Sequence, residues 1–255
     1  MTATATNSVP VDTPRRRYAG GAWLLAAVAL LGQLAFTLAW FVGGLFEPDY
    51  DPLRQTISEL ASLDGHRPLV MTAGFAAFGI SVLALALALR RTVRRDKRLR
   101  VGPGMLVLAA LAMPVVAGAR MDCARSSQAC RDAIEADVVS GQHHLHDLAS
   151  LVVFVMLVLA PLVFARAFGR DGHWRDLRRW SLLTGGLGFV LLATFVTVGD
   201  GTAMGGLLQR VLVGLLTAWI AVTATRALRT AGTRVLPSRP SPHIDRTSTG
   251  AQTVR

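Results

Sequence analysis

The sequence predicts an all-α fold: a polytopic membrane protein built as a bundle of six transmembrane helices, with both termini in the cytoplasm. Hydrophobic residues make up 52% of the chain and the mean hydropathy is +0.43, more apolar than an ordinary soluble domain. Six apolar runs are each near the roughly 20 residues that a helix needs to cross a bilayer. Lysine and arginine are concentrated in alternate loops between these runs, as in an oriented membrane protein.

The apolar runs indicate helices rather than the strands of a β-barrel. They are continuous and lack the alternation of barrel strands, and lipid offers no partner for the polar groups of any other backbone structure. The first run is longer than the ~7–15 apolar residues of a signal peptide, so we interpret it as a retained span. The predicted spans are residues 19–45, 68–89, 101–119, 148–165, 180–198 and 207–224.

The two ends of the chain differ in composition from this domain. Residues 1–18 are rich in Thr, Ala, Ser and Pro and carry three arginines, and residues 229–255 are also polar. Neither end has an apolar pattern that could build a core, so both are predicted to be disordered tails. The six-helix transmembrane domain is therefore predicted to cover residues 19–228.

The distribution of positive charge predicts the orientation. Of the 27 Lys and Arg residues, 21 lie in or beside the two tails and in loops 90–100 and 166–179. This basic side is predicted to be cytoplasmic, which makes the chain a multi-pass protein of the cell's inner (cytoplasmic) membrane. The basic clusters are expected to contact anionic lipid head groups. The net charge of +11 does not indicate nucleic-acid binding, because the charges lie in short clusters between apolar runs.

The polar segment 50–60 follows the first span on the predicted outer side. Thr56 and Glu59 have the spacing of a capping box, so we predict a short helix over residues 55–63. One interpretation is that this helix only closes the loop. In the other, Ser58 and Glu59 face a ligand pocket.

Residues 141–147 are predicted to open the fourth membrane helix, and they combine three histidines with a carboxylate. These residues are His143, His144, His146 and Asp147. On a helix they lie three and four residues apart, so one face could present two imidazoles and a carboxylate.

Three interpretations of this histidine stretch remain open. It predicts a zinc site if another loop adds a ligand such as Asp122, Asp200 or Glu59. It predicts metal-free general-base chemistry if the carboxylate orients an imidazole. It is also compatible with a hydrogen-bonded helix start that carries no chemistry.

Arg210 lies about one turn inside the sixth predicted span, on the side that is otherwise poor in arginine. Ionisable residues inside a membrane usually face the bundle interior and have a partner. We therefore predict a pair with Asp200, Asp122 or Glu59, which would make Arg210 a candidate for binding an anionic group. The alternative is that its side chain extends to the outer head groups.

The two cysteines, Cys123 and Cys130, lie seven residues apart in one outer loop. Because the outer side of a cell membrane is oxidising, this spacing predicts a local disulfide.

Two segments carry a resemblance to a known family. Tyr50-Asp-Pro-Leu-Arg-Gln-Thr-Ile-Ser-Glu-Leu60 and Gly206-Leu-Leu-Gln-Arg210 are similar to motifs of an uncharacterised bacterial membrane family, domain of unknown function 998. The resemblance implies a six-helix bundle in the cytoplasmic membrane. It implies no activity, because none is established for the family.

The polar residues of the outer loops predict an integral membrane protein with a polar pocket on the extracytoplasmic face. We expect this pocket to bind a lipid-like or small anionic ligand. The alternatives are a membrane-embedded, metal-dependent hydrolase, or a transporter or assembly partner without enzymatic activity. The sequence shows no clear internal repeat, which disfavours many transporter folds, but it does not separate an enzyme from a binding protein.

Overall fold

The structure is a computed structural model that describes residues 14–93, 101–199 and 202–233. Within these ranges the chain forms seven α-helices. They are α1 (Pro14–Phe46), α2 (Pro68–Thr92), α3 (Val101–Gly118), α4 (Gln128–Glu135), α5 (Gly141–Phe168), α6 (Leu177–Thr194) and α7 (Gly205–Thr233). A single 3₁₀ turn, Ser58–Ala61, precedes α2, and a π-helical turn, Phe195–Gly199, continues α6.

All of these helices except α4 are long and apolar enough to cross a membrane, which confirms the six predicted spans. Their apolar stretches are 18 to 28 residues long. Leucines such as Leu31, Leu45 and Leu183 point outwards and are more than half exposed. Such a surface is unfavourable in water but is matched by lipid chains. The chain is therefore an all-α, multi-pass membrane protein.

The six long helices pack side by side in a ring, in the order α1, α2, α3, α5, α6, α7 and back to α1. α1 and α2 pack closely, because a Cβ added to Gly32 would meet the carbonyl oxygen of Ala77 at 2.7 Å. Gln33 donates to the Ser81 hydroxyl at 2.8 Å, and that hydroxyl donates to the carbonyl of Ala29 at 2.7 Å. Small residues and polar side chains thus join these two helices.

The loops collect at two ends of the bundle, because successive long helices run in opposite directions. We call one end the polar end. It holds residues 47–67 and 119–140, together with the end of α6 and the start of α7. The opposite, basic end holds residues 169–176, the start of α1 and the end of α7. That the polar end faces away from the cytoplasm stays a prediction from the charge distribution.

The helices extend past the predicted domain limits of 19 and 228, since α1 begins at Pro14 and α7 ends at Thr233. Residues 1–13, 94–100 and 234–255 lie outside the described residues. The predicted disorder of the tails, and the predicted contact of the basic loops with anionic lipid, therefore stay predictions.

The histidine stretch opens a membrane helix, as predicted. α5 begins at Gly141, and Ser140 caps it by accepting a hydrogen bond from the amide of His143 at 3.4 Å. Two turns of polar residues thus precede the apolar part of the span.

The short helix predicted over residues 55–63 is reduced to the single turn Ser58–Ala61, and no side chain caps it. The segment before this turn is instead held in a non-helical path by hydrogen bonds to α7. The predicted capping box does not produce a longer helix, because these tertiary hydrogen bonds outweigh a local preference of about 1 kcal/mol.

Candidate functional site

Arg210, in the second turn of α7, ties this helix to the loop that follows α1. Its Nη1 donates to the backbone carbonyls of Pro52 and Gln55, both at 2.7 Å, and to that of Gly206 at 3.0 Å. Its Nη2 donates to the Tyr50 hydroxyl. Burial raises the pKa of the Tyr50 phenol, so the hydroxyl stays neutral near pH 7. Arg210 therefore links the start of α7 to the loop after α1 through hydrogen bonds.

The expected ion pair of Arg210 with a carboxylate is not present among the described residues, where backbone carbonyls and a phenol take that role. Of the expected partners, Glu59 accepts hydrogen bonds from Ser126, and Asp122 accepts them from Ser140. Asp200 lies outside the described residues. Carbonyls replace the carboxylate because a guanidinium carries five donors, and several carbonyls converge at this helix start.

Gln209 makes a second link between α7 and the same loop. Its Oε1 accepts a hydrogen bond from the amide of Ile57 at 2.5 Å, and its Nε2 donates to the Ser58 hydroxyl at 3.2 Å. Two backbone amides at the start of α7 also donate to carbonyls of the loop, at 3.0 and 3.1 Å. The segments 50–60 and 206–210, which carry the family resemblance, are thus one packed unit.

The histidines of α5 have separate partners. His144 is half exposed, and its Nε2 lies 3.5 Å from a carboxylate oxygen of Asp137. His143 is fully buried, and its Nδ1 accepts a hydrogen bond from the amide of Asp122 at 3.2 Å. The histidines therefore make separate structural contacts and do not present the predicted shared face of two imidazoles.

His146 has a defined tautomer. Its Nδ1 lies 2.8 Å from the carbonyl oxygen of Ala119 and 3.1 Å from that of Val116, at the end of α3. Because both neighbours are acceptors, Nδ1 must carry the hydrogen, which leaves the lone pair on Nε2 in the neutral ring. The side chain is only 2% exposed, and within the described part of the chain Nε2 has no hydrogen-bond partner.

Asp147 lies beside two basic side chains. The Arg125 guanidinium forms an ion pair with it, and the same guanidinium lies 3.4 Å from Nε2 of His143. Nε2 of His143 is 4.0 Å from the carboxylate. A loop residue thus extends to the start of α5 and balances the charge of Asp147.

A disulfide between Cys123 and Cys130 closes the loop that carries Arg125. Ser126, in the same loop, donates to the Glu59 carboxylate from its hydroxyl at 2.8 Å and from its amide at 3.3 Å. The loop is therefore attached both to the 3₁₀ turn and to α5. Glu59 serves in this attachment, where the sequence had suggested a ligand contact.

Asp122 supports the start of α5. It accepts hydrogen bonds from the amide of Ser140 and from its hydroxyl, the latter at 2.7 Å. These bonds lower the pKa of the Asp122 carboxyl below its usual value. Since Ser140 is the residue that caps α5, Asp122 positions this helix rather than offering free ligand oxygens.

A cleft opens among these contacts at the polar end. It lies between α5, the end of α6, the start of α7 and the two loops, and its volume is about 240 Å³. Its polar lining consists of Thr56, Ser58, Arg125, His146, Asp147, Ser150 and Gln209. We call it the polar cleft.

A second, narrower cavity continues from the polar cleft into the bundle, and the two share Ser58, Ser150, Phe154 and Gln209. Its deeper wall is apolar and comes from all of the long helices except α6. The apolar lining consists of Phe36, Ile57, Phe75, Phe78, Met113, Val116, Val153, Phe154, Leu157, Val213 and Leu216. We call it the apolar slot.

The described residues do not form a zinc site. No group of three His, Cys, Asp or Glu side chains within them could hold a metal ion. The Nδ1 atoms of His143 and His146 are already hydrogen bonded, and His144 lies apart at the surface. Zinc binding stays a prediction from the sequence.

Sequence reasoning found His146, Asp147, Ser58 and Arg210 but missed other residues of the site. Arg125 was not singled out, because a single arginine in a polar loop has no distinctive spacing. The slot residues were not identified either, because a side chain that lines a cavity and one that faces lipid are equally apolar in sequence.

The comparisons with known proteins agree with this architecture. The family model described as Protein of unknown function (DUF998) matches residues 30–226, which include all six spans in whole or in part. No curated protein and no solved structure matches the chain. Since the family model covers well over half of the sequence, the chain belongs to this membrane protein family of unknown function.

Proposed function

We propose that the protein binds one lipid-like amphiphile on the extracytoplasmic face, with its head in the polar cleft and its chain in the apolar slot. The observation that carries the proposal is that these cavities adjoin and share four lining residues, while one is lined partly by polar and charged side chains and the other is almost entirely apolar. This division matches a molecule with one polar end and one apolar end.

The position and the apolar lining of the slot support its assignment to the chain. Along α5 it extends from Ser150 to Leu157, which corresponds to about 10 Å of helix. The slot is narrow, with a volume of about 40 Å³. Flexible and aromatic side chains, including Met113 and Phe78, line it and can adjust around a single extended chain.

An exposed residue of the cleft lining supports access from the bilayer. Val196, in the π-helical turn after α6, lines the cleft and is 55% exposed on the outside of the bundle. π-helical turns interrupt regular helix geometry and often occur at functional sites. An amphiphile could therefore move from the bilayer directly into the polar cleft, without passing through water.

The extracytoplasmic location is supported by two observations. The polar end lies on the side with few Lys and Arg residues, which favours the outer side of the membrane. The Cys123–Cys130 disulfide lies at the same end, and disulfides persist on the oxidising side.

Native mass spectrometry of the detergent-purified protein tests the proposal. The parent protein is expected to retain one amphiphile from the membrane at high occupancy. Val153→Phe adds a ring where the slot lies and should lower this occupancy at least several-fold. Val190→Phe makes the same change on the lipid-facing side of α6, where Val190 is 58% exposed, and should leave it unchanged.

Thermal unfolding of the variants distinguishes loss of the ligand from loss of the fold. A parent protein that binds no amphiphile, even after incubation with added lipid, would refute the proposal. Equal occupancy in folded Val153→Phe and Val190→Phe would also refute it, because the ligand would then lie outside the slot.

A further inference from the structure

Resting on the proposed function, we infer that the amphiphile carries a neutral hydroxyl head group, which donates a hydrogen bond to Nε2 of His146. Two features of the polar cleft indicate this class of ligand: the hydrogen-bonding state of His146 and the balance of charge in the lining.

His146 lines the polar cleft and carries a buried acceptor. The carbonyls of Val116 and Ala119 hold its hydrogen on Nδ1, so Nε2 can only accept in the neutral ring. The residue lines the cleft, is 2% exposed and has no partner for Nε2 within the described residues. A buried acceptor without a partner is costly, and a ligand that donates to it removes that cost.

The charges of the polar cleft cancel. Among its described lining residues, Arg125 is the cation and Asp147 the carboxylate, and they are paired with each other. A phosphate or carboxylate head would need a cation without a counter-charge, and an amine would need a carboxylate without one. Neither is found in this lining, whereas a hydroxyl adds no charge. The sequence-based expectation of an anionic ligand through Arg210 therefore loses its basis, because that guanidinium is bonded to the loop after α1.

Four probes with the same chain test this inference: oleyl alcohol, methyl oleyl ether, oleate and oleylamine. Their affinities for the full-length protein in lipid nanodiscs are compared by native mass spectrometry. The alcohol should bind about tenfold more tightly than the ether, which cannot donate a hydrogen bond. It should also bind more tightly than either charged probe.

His146→Phe removes the acceptor and keeps an aromatic ring, so it should reduce the ratio of alcohol to ether affinity to about one. His173→Phe is the matched control, because His173 is an exposed residue at the basic end, and it should keep the parent ratio.

The parent comparison needs no variant, so it decides the question even if His146→Phe does not fold. Tighter binding of oleate or oleylamine than of the alcohol would overturn the inference, as would equal binding of alcohol and ether. If all four probes bind equally, only this inference fails. If none binds, the proposed function fails with it.

Discussion

At the scale of single residues, Arg210 shows how a charged group is accommodated near the end of a membrane helix. Its bonds to the carbonyls of Pro52, Gln55 and Gly206, and to the Tyr50 hydroxyl, disperse the charge over dipoles. The energetic need for a partner was foreseeable from sequence, but the kind of partner was not, because carbonyls have no signature in sequence.

Arg210→Ala should lower the free energy of unfolding by about 3 kcal/mol, because hydrogen bonds from a charged donor are lost and buried carbonyls remain without partners. Arg210→Lys should recover only part of this, since an ammonium cannot reproduce the planar fork of a guanidinium. Arg229→Ala, at an exposed position near the basic end, should change it by about 0.5 kcal/mol or less. Thermal unfolding in detergent measures the stability of all three variants. A melting temperature of Arg210→Ala equal to that of the parent would contradict the proposed role of Arg210 in linking α7 to the loop.

Gly206→Ala probes the same contact from the backbone. A Cβ at this position would overlap the carbonyl oxygen of Gln55 and would lie 2.6 Å from that of Pro52, so α7 and the loop would have to separate. We expect a loss of about 2 kcal/mol or more. Gly214→Ala, in the same helix with nothing within 4 Å of its Cβ, should instead be neutral or gain about 0.5–1 kcal/mol. Similar melting temperatures for the two variants would contradict this packing.

The Asp122 carboxyl predicts a dependence of stability on pH. Hydrogen bonds from Ser140 lower its folded-state pKa, so the unfolded chain binds more protons in acid. The stabilisation is complete above the unfolded-state pKa and is lost as pH falls through the lower, folded-state value. Melting temperatures measured from pH 6 down to about 3 should therefore fall more steeply for the parent than for Asp122→Asn. A slope for Asp122→Asn as steep as that of the parent would contradict the assignment.

At the scale of elements, the disulfide-closed loop connects two parts of the polar end. Through Ser126 it contacts Glu59 near α2, and through Arg125 it contacts Asp147 of α5. The loop therefore forms one wall of the polar cleft and also fixes the start of the helix that carries His146.

Replacing both Cys123 and Cys130 by serine should cost about 2–3 kcal/mol, the value expected for a loop this short. A thiol reagent applied to unreduced protein after unfolding should label neither cysteine, and after reduction it should label both. Stoichiometric labelling of both without reduction would show that the bond does not form, and would remove one support for the extracytoplasmic location.

The elements differ in how well the sequence predicts them, for a physical reason. Spans are recognisable because lipid imposes the same length and composition on every crossing helix, whatever its neighbours are. The helix predicted over residues 55–63 does not form in full, because the conformation of this segment depends on hydrogen bonds to α7, about 150 residues away in the chain. The same limit applies to the site: Glu59 and Asp147 were identifiable as polar groups, but their partners Ser126 and Arg125 become neighbours only through the loop geometry.

At the scale of the whole molecule, the ring of helices leaves its interior unfilled near one end. Phe36 and Phe78 contact each other there with ring centres 4.6 Å apart and ring planes tilted by 39°, and both side chains line the slot. Packed helices normally interdigitate with few voids, and in the proposed function the chain of the amphiphile fills this one.

Photo-crosslinking with an oleyl alcohol that carries a diazirine in its chain tests this central claim most directly. Irradiation in nanodiscs, followed by peptide mass spectrometry, should place the label on slot-lining residues of α5 and α7, namely Val153, Phe154, Leu157, Val213 and Leu216. Excess unlabelled oleyl alcohol should compete for these positions. Label found only on lipid-facing residues, such as Leu31 and Leu183, with no competition, would show that the chain of the amphiphile does not enter the bundle.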